Sequence, residues 1–231
     1  MGAVCAGSLR AQVCAGHSSL HRAPFRVAVG AESFSYATRL AVSATGGRAV
    51  FGTAAIGRTH DAELDASTFD IGLEAGAELG DSAGRVFLCP LAALSWSIGP
   101  EDFLLLGSDY KYFEGAVGLG AAAVPVRRGR VAVHMAGGLR LARLKAHYLP
   151  GAERRANGAQ PYSERDNYWL LSLAVGLVVK EVLSIRPSVS VPLGVETSWD
   201  AIAVPFGREN HELSLGIAVG FAFGRRSRAD R

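Results

Sequence analysis

Long hydrophobic runs are missing from this chain. Nowhere in its 231 residues do eighteen apolar residues stand together, so no transmembrane helix is encoded. The longest apolar stretches, Leu170 to Val179 and Ala116 to Pro125, have the length of a strand or slightly more. Cysteine is almost absent, and Cys5, Cys14 and Cys89 offer neither a disulfide framework nor a metal-ligand spacing. Charged residues make up only 19%, and a formal charge of +3 is too small to imply a nucleic-acid partner. Lysine is scarce among the 24 basic residues. A phosphate loop, G-x-G-x-x-G after a strand, G-x-S-x-G and H-E-x-x-H are all lacking, which removes the sequence warrant for nucleotide binding, serine hydrolysis and zinc proteolysis.

What is present points to β-structure. Hydrophobic residues reach 49% and glycine numbers 28, with the excess in Gly, Ala and Val rather than Leu. Residues 1–24 read as unstructured. They lack a basic n-region and a long apolar h-region, yet Gly7 to Gln12 is similar to the cleavage end of a signal peptide, so we expect the remnant of an export signal. A lipoprotein cysteine at Cys5 or Cys14 is the weaker alternative. Residues 224–231 form a basic tail, expected to be solvated.

Between these ends the chain alternates. In the last regular stretch, His211 to Phe223, Leu213, Leu215, Ile217, Val219, Phe221 and Phe223 share one face, and Glu212, Ser214, Gly216, Ala218, Gly220 and Ala222 the other. The same period of two runs through Phe25–Glu32, Thr68–Leu79, Arg85–Ile98 and Leu183–Thr197. Phase slips are expected at Ser33 to Tyr36 and near Ala142. Gly46-Gly47 is a hairpin signal. Short connections (46–47, 80–84, 127–129, 180–182) alternate with long ones (60–67, 99–109, 149–166, 198–210). All short turns then gather at one end and all long loops at the other, as in an all-β, up-and-down antiparallel barrel. Counting from Phe25 gives ten strands, our preferred number, and counting from Arg48 gives eight.

Which face points inward separates two classes. A lipocalin-like soluble barrel binding a ligand would hide its large apolar residues, and a membrane barrel would turn them to lipid. Here the polar faces are mostly Gly, Ala and Ser with isolated charges, which suits a narrow crowded interior. Aromatic residues near strand ends, Phe69, Trp96, Tyr110, Tyr112, Trp169, Phe221 and Phe223, suit interfacial girdles. Both favour the membrane barrel. Pro90, Pro187 and Pro192 must each remove a ladder hydrogen bond.

The final strand resembles the C-terminal assembly signal of outer-membrane barrels, with Ser214, Gly216, Val219, Phe221 and Phe223 at the matching positions, although eight residues follow Phe223. As a pattern from Phe25 to Phe223, the chain resembles small bacterial outer-membrane barrels of the outer-membrane protein A and opacity-protein superfamily. That resemblance implies outer-membrane lipid and the barrel-assembly machinery as partners, a bacterial outer-membrane location and a structural or surface-interaction role.

Candidate sites are few. The inward positions include Asp70, Glu74, Glu78, Glu114, His134, Arg140 and Arg186, which we expect to form an Arg–Glu network plugging the lumen, because buried charges need partners. No catalytic residue, cofactor or metal ligand is assigned. His17 and His21 are too few for zinc. Asp61, Glu63, Asp65 and Ser67 lack the glycine and closing glutamate of a calcium loop. His60, Asp61 and Asp166 could occupy the rim of a membrane enzyme, but nothing in the sequence ties them together. A surface ligand would be met by the loops at 60–67 and 149–166.

Overall fold

The computed structural model describes residues 25–35, 37–47, 50–62, 66–80, 86–98, 109–150, 155–180, 182–193 and 213–223. The expected signal remnant, the basic tail and the middle of the longest loops lie outside them. Eleven strand segments follow one another: β1 (Phe25–Ser33), β2 (Ala37–Gly47), β3 (Val50–Asp61), β4 (Ala66–Ala77), β5 (Leu79–Gly80), β6 (Val86–Ile98), β7 (Asp109–Arg128), β8 (Val131–Leu149), β9 (Tyr162–Val179), β10 (Leu183–Leu193) and β11 (Ser214–Phe223). β5 is a two-residue continuation of β4, and both pair with β6, so the barrel has ten staves. Each stave pairs antiparallel with its sequence neighbour. β11 closes the circle on β1, from Phe25 opposite Phe223 to Ser33 opposite Leu215.

Register fixes the two faces. Val27, Val29, Ile217, Val219 and Phe221 point outward, whereas Arg26, Ala28, Ala218 and Gly220 point into the lumen. The outward aliphatic positions are open, with Leu215 60% and Ile217 51% exposed. Leu183, Ile185, Val189 and Val191 belong to the same outer face by their pairing with β9. A water-soluble protein rarely exposes an apolar surface of this continuity. Lipid is its natural solvent.

Ladder breaks accompany Pro90, Pro125 and Pro187, whereas Pro192 stays in register opposite Leu170. Pairing of β4 with β6 ends at Gly76 opposite Leu91 and resumes through β5 at Leu79 opposite Leu88, skipping Cys89 and Pro90. The β9–β10 ladder skips Arg186 and Pro187 in the same way. The β7–β8 ladder shifts register between Ala123 and Val126, around Pro125. A residue without an N–H leaves the neighbouring strand unpaired at that point, and the barrel absorbs the loss locally.

Several expectations need correction. The slip expected at Ser33 to Tyr36 falls at the connection of β1 to β2, where the Phe34 N–H donates to the Ala37 carbonyl at 2.9 Å, so the first connection at the long-loop end is short and the alternation of loop lengths fails there. β8 keeps its phase through Ala142: Arg140, Ala142, Leu144 and Ala146 all point inward, and Leu144 is fully buried. The apparent slip arises because β7, β8 and β9 run on beyond the apolar band. There the outer face meets water and carries Arg143 and Lys145, so the polarity of the two faces inverts while the geometry does not. For the same reason the polar segment 149–166 contributes strand from Tyr162 onward, and of the 60–67 segment His60 and Asp61 belong to β3 and Ala66 and Ser67 to β4.

Glycine placement follows one rule in the lumen. Gly76 is directly opposite Phe51, and a Cβ on it would meet the Phe51 ring at 2.5 Å. Gly80 faces Phe87 in the same way at 2.8 Å, and Gly176 faces the His134 ring. Gly118 accommodates the stem of Arg140. Each of these four large inward side chains thus lies against a glycine on the next strand, which gives a narrow lumen room for their rings and guanidinium group. Gly76→Val is therefore expected to destabilise the folded barrel by about 1–3 kcal/mol through overpacking. Adding Phe51→Ala should recover part of that loss, as read from urea unfolding in lipid vesicles.

Candidate functional site: the barrel lumen

All seven sequence-assigned lumen residues occupy inward positions. Asp70 and Glu74 stand on β4, Glu78 between β4 and β5, Glu114 on β7, His134 and Arg140 on β8, and Arg186 on β10. Their environments differ with height. At the short-turn end, Phe51, Phe87, Ala122, Ala132 and Val178 are buried, as is His134, and form a largely apolar floor. Above it the walls carry small and hydroxylated residues around a cavity of about 470 Å³, reached by Ser43, Thr53, Ser95, Ser172, Ser188 and Ser190 among others.

Two kinds of polar contact cross this space. Some join adjacent strands. Thr59 Oγ1 and Ser97 Oγ donate to the two carboxylate oxygens of Asp70 at 2.8 and 2.6 Å, and Ser214 Oγ donates to Glu32 at 2.6 Å. Others are chords between strands that do not touch. Arg140 on β8 meets Glu74 on β4 at 2.8 Å, three strands away around the wall. Arg39 on β2 reaches Asp70 on β4 at 3.3 Å, and it also lies 4.0 Å from Glu32, its directly paired neighbour on β1. Tyr168 on β9 donates to Glu114 on β7 at 2.5 Å. Glu78, His134 and Arg186 have interactions of their own. Chords add to the wall contacts, because they hold staves two or three apart at a fixed separation across the lumen.

The sequence reading missed Arg26, Glu32, Arg39, Tyr112 and Tyr168. The signal was present: once Val27, Val29, Leu40 and Val42 are outward, Arg26, Glu32 and Arg39 are inward by parity. Tyr112 corrects the girdle assignment. It is 4% exposed and points inward, while its neighbour Phe113 faces out and packs against Trp96 with ring centroids 5.5 Å apart. The long-loop girdle is then Phe69, Trp96, Phe113 and Trp169, and the short-turn girdle Phe25, Phe221 and Phe223. The Tyr110 side chain lies outside the described set. Arg26 sits at the floor, 1% exposed, with its Nε and Nη1 lacking a hydrogen-bond partner among the described residues.

Of the rim candidates His60, Asp61 and Asp166, only His60 has its side chain among the described residues. His60 is exposed and its Nδ1 lies 3.3 Å from Ser67 Oγ, Asp61 ends β3, and the Asp166 side chain is outside the described set, as are Glu63 and Asp65. Among the described residues no group of His, Cys, Asp or Glu could hold a metal ion. Cys89 points into the lumen and is disulfide-bonded, and the other two cysteines lie outside the described residues. The assembly-signal positions divide by face: Ser214 and Gly216 point inward, and Val219, Phe221 and Phe223 outward.

No protein-family model and no curated protein sequence matches the chain. Solved structures do. The translocator domain of the autotransporter NalP from Neisseria meningitidis aligns with a TM-score of 0.53 at 13% identity, over 91% of this chain and 92% of that one. The fold is that of a bacterial outer-membrane β-barrel. The N-terminal barrel domain of Pseudomonas aeruginosa OprF (TM-score 0.38, 12% identity, 86% of this chain and 96% of that one) and Omp33 of Acinetobacter baumannii (0.33, 10%, 87% and 98%) share less of its geometry. The closed wall, the lipid-facing exterior and the two girdles place the outer-membrane barrel in the membrane built for such folds.

If the Arg140–Glu74 chord braces the barrel, Arg140→Gln and Glu74→Gln should each cost about 1–3 kcal/mol. The double variant should cost clearly less than the sum of the two, as read from urea unfolding in a double-mutant cycle.

Proposed function

We propose that this outer-membrane barrel works closed, as a structural or surface-interacting protein of the bacterial outer membrane whose lumen is plugged by its Arg–Glu network. The observation that carries the reading is the Arg140–Glu74 contact of 2.8 Å spanning the interior, with Arg39 holding Glu32 and Asp70 beside it. A water-filled conduit needs an open axis. Here charged side chains from staves two and three apart meet inside the lumen, and Phe51, Phe87 and Val178 are buried at the short-turn end. A barrel of about this strand number has an interior largely filled by its own side chains in any case.

The role we assign is non-catalytic. A soluble ligand-binding barrel is the poorer alternative, because the ligand-sized apolar surface is on the outside. Partners would be outer-membrane lipid along the exterior, the barrel-assembly machinery at Ser214, Gly216, Val219, Phe221 and Phe223, and a surface ligand at the long-loop end, where the segments 60–67 and 149–166 emerge.

Planar-bilayer recording tests the plug. The native chain should show no large, steady conductance, and the Arg140→Ala, Glu74→Ala double variant should raise conductance or its noise. Large steady channels from the unaltered protein would contradict the reading.

A further inference from the structure

Above the long-loop girdle the outer face changes character within one outward position. On β8 the outward residues run Leu139, Leu141, then Arg143 and Lys145. On β9, read upward, they run Leu171, Trp169, then Asn167 and Arg165, and on β7 Val117, Gly115 and Phe113 precede Lys111. Register brings these together. Phe113 is opposite Lys145, Lys145 is opposite Arg165, and Arg143 is opposite Asn167. Directly opposed residues have Cβ atoms about 5 Å apart. Arg143 and Lys145 are two residues apart on one strand, about 7 Å. Three exposed cations therefore share one flat patch immediately outside the aromatic girdle, and among the described residues none of them has an acidic partner.

Two physical points make this more than a solvated face. Like charges directly opposite one another across a strand pair destabilise the pairing unless an anion sits between them, and Lys145 with Arg165 is such a pair. Height is the second. Trp169 and Phe113 fix the level of the membrane interface, so the cations stand at the depth of lipid headgroups, on a surface that is tangential to the bilayer edge rather than in a loop reaching into water. The cations at the opposite end, Arg128, Arg130 and Lys180, are grouped around turns instead, with the Lys180 N–H donating to the Arg130 carbonyl at 2.7 Å.

We propose that Arg143, Lys145 and Arg165 form a headgroup site for a phosphorylated lipid of the leaflet at the long-loop end, the acyl chains lying along Leu139, Leu141, Leu171 and the girdle rings. The cations neutralise one another's repulsion through the shared phosphate groups. The outer-membrane barrel thereby carries a lipid fixed at one angular position around its wall rather than a uniform annulus.

The test uses the full chain refolded in zwitterionic vesicles doped with a diphosphorylated glycolipid or with the same lipid after phosphatase treatment. Native mass spectrometry after detergent extraction reads the lipid that stays bound. The phosphorylated form should be retained about a hundredfold over the dephosphorylated form, from three surface cations. The triple variant Arg143→Gln, Lys145→Gln, Arg165→Gln should lose that preference, and the single Lys145→Gln should lose about fivefold of it. The triple Arg128→Gln, Arg130→Gln, Lys180→Gln should keep it. Heat-modifiable gel migration certifies that each variant is folded, and the single variant carries the test should the triple not fold. Equal retention of the two lipids overturns the proposal, as does equal loss in the two triples. Displacement of the lipid by millimolar inorganic phosphate also overturns it, because the patch would then read a free anion rather than a headgroup.

Discussion

Closure of the ladder between β1 and β11 is the constraint on which everything else rests. In hydrocarbon an unpaired backbone N–H or C=O finds no water, so a sheet survives there only when its first and last strands pair. Here Phe25 to Ser33 pairs continuously with Leu215 to Phe223, and the large apolar side chains of this seam point outward to lipid. The closing strand is thus an edge strand without an edge. It is also the stretch in which alternation of large and small residues is cleanest, which suits a strand that must present a lipid face and a crowded lumen at once.

Closing ten staves leaves little room inside, and the inner face solves this by pairing large with small across neighbouring strands. Phe51 lies over Gly76, Phe87 over Gly80, His134 over Gly176 and Arg140 over Gly118. Arg140 can extend to Glu74 because Gly118 leaves space beside its stem. The abundance of glycine is thereby tied to the charge network as well as to the fold. Prolines show the tolerance of the same wall. Pro90 and Pro187 each interrupt one ladder only, and the strand on the other side keeps pairing, at Pro90 opposite Leu119 and Pro187 opposite Ile217.

Strand number, antiparallel order and the outward apolar face were legible in the sequence because each rests on a period of two, and register in a closed sheet preserves that period around the whole wall. The seven inward polar residues were legible for the same reason. Tyr112 was not, since an aromatic residue near a strand end reads as a girdle residue until the phase of its neighbours is fixed. The extension of β7 to β9 beyond the membrane was hidden because polarity, the property being read, reverses where the surrounding solvent changes from lipid to water. Chords such as Arg140–Glu74 cannot be read from one strand at all. They depend on the order and stagger of staves that are not adjacent, which the closed topology decides.

Spin labels placed singly along β11, at positions 214 to 223 in a background with the native cysteines replaced by serine, test the central claim most directly. Accessibility to a lipid-soluble relaxant should alternate with a strict period of two and peak at 215, 217, 219 and 221, while 216, 218 and 220 stay shielded. Maxima at the even positions, or accessibility without alternation, would contradict a lipid-facing exterior and a filled lumen.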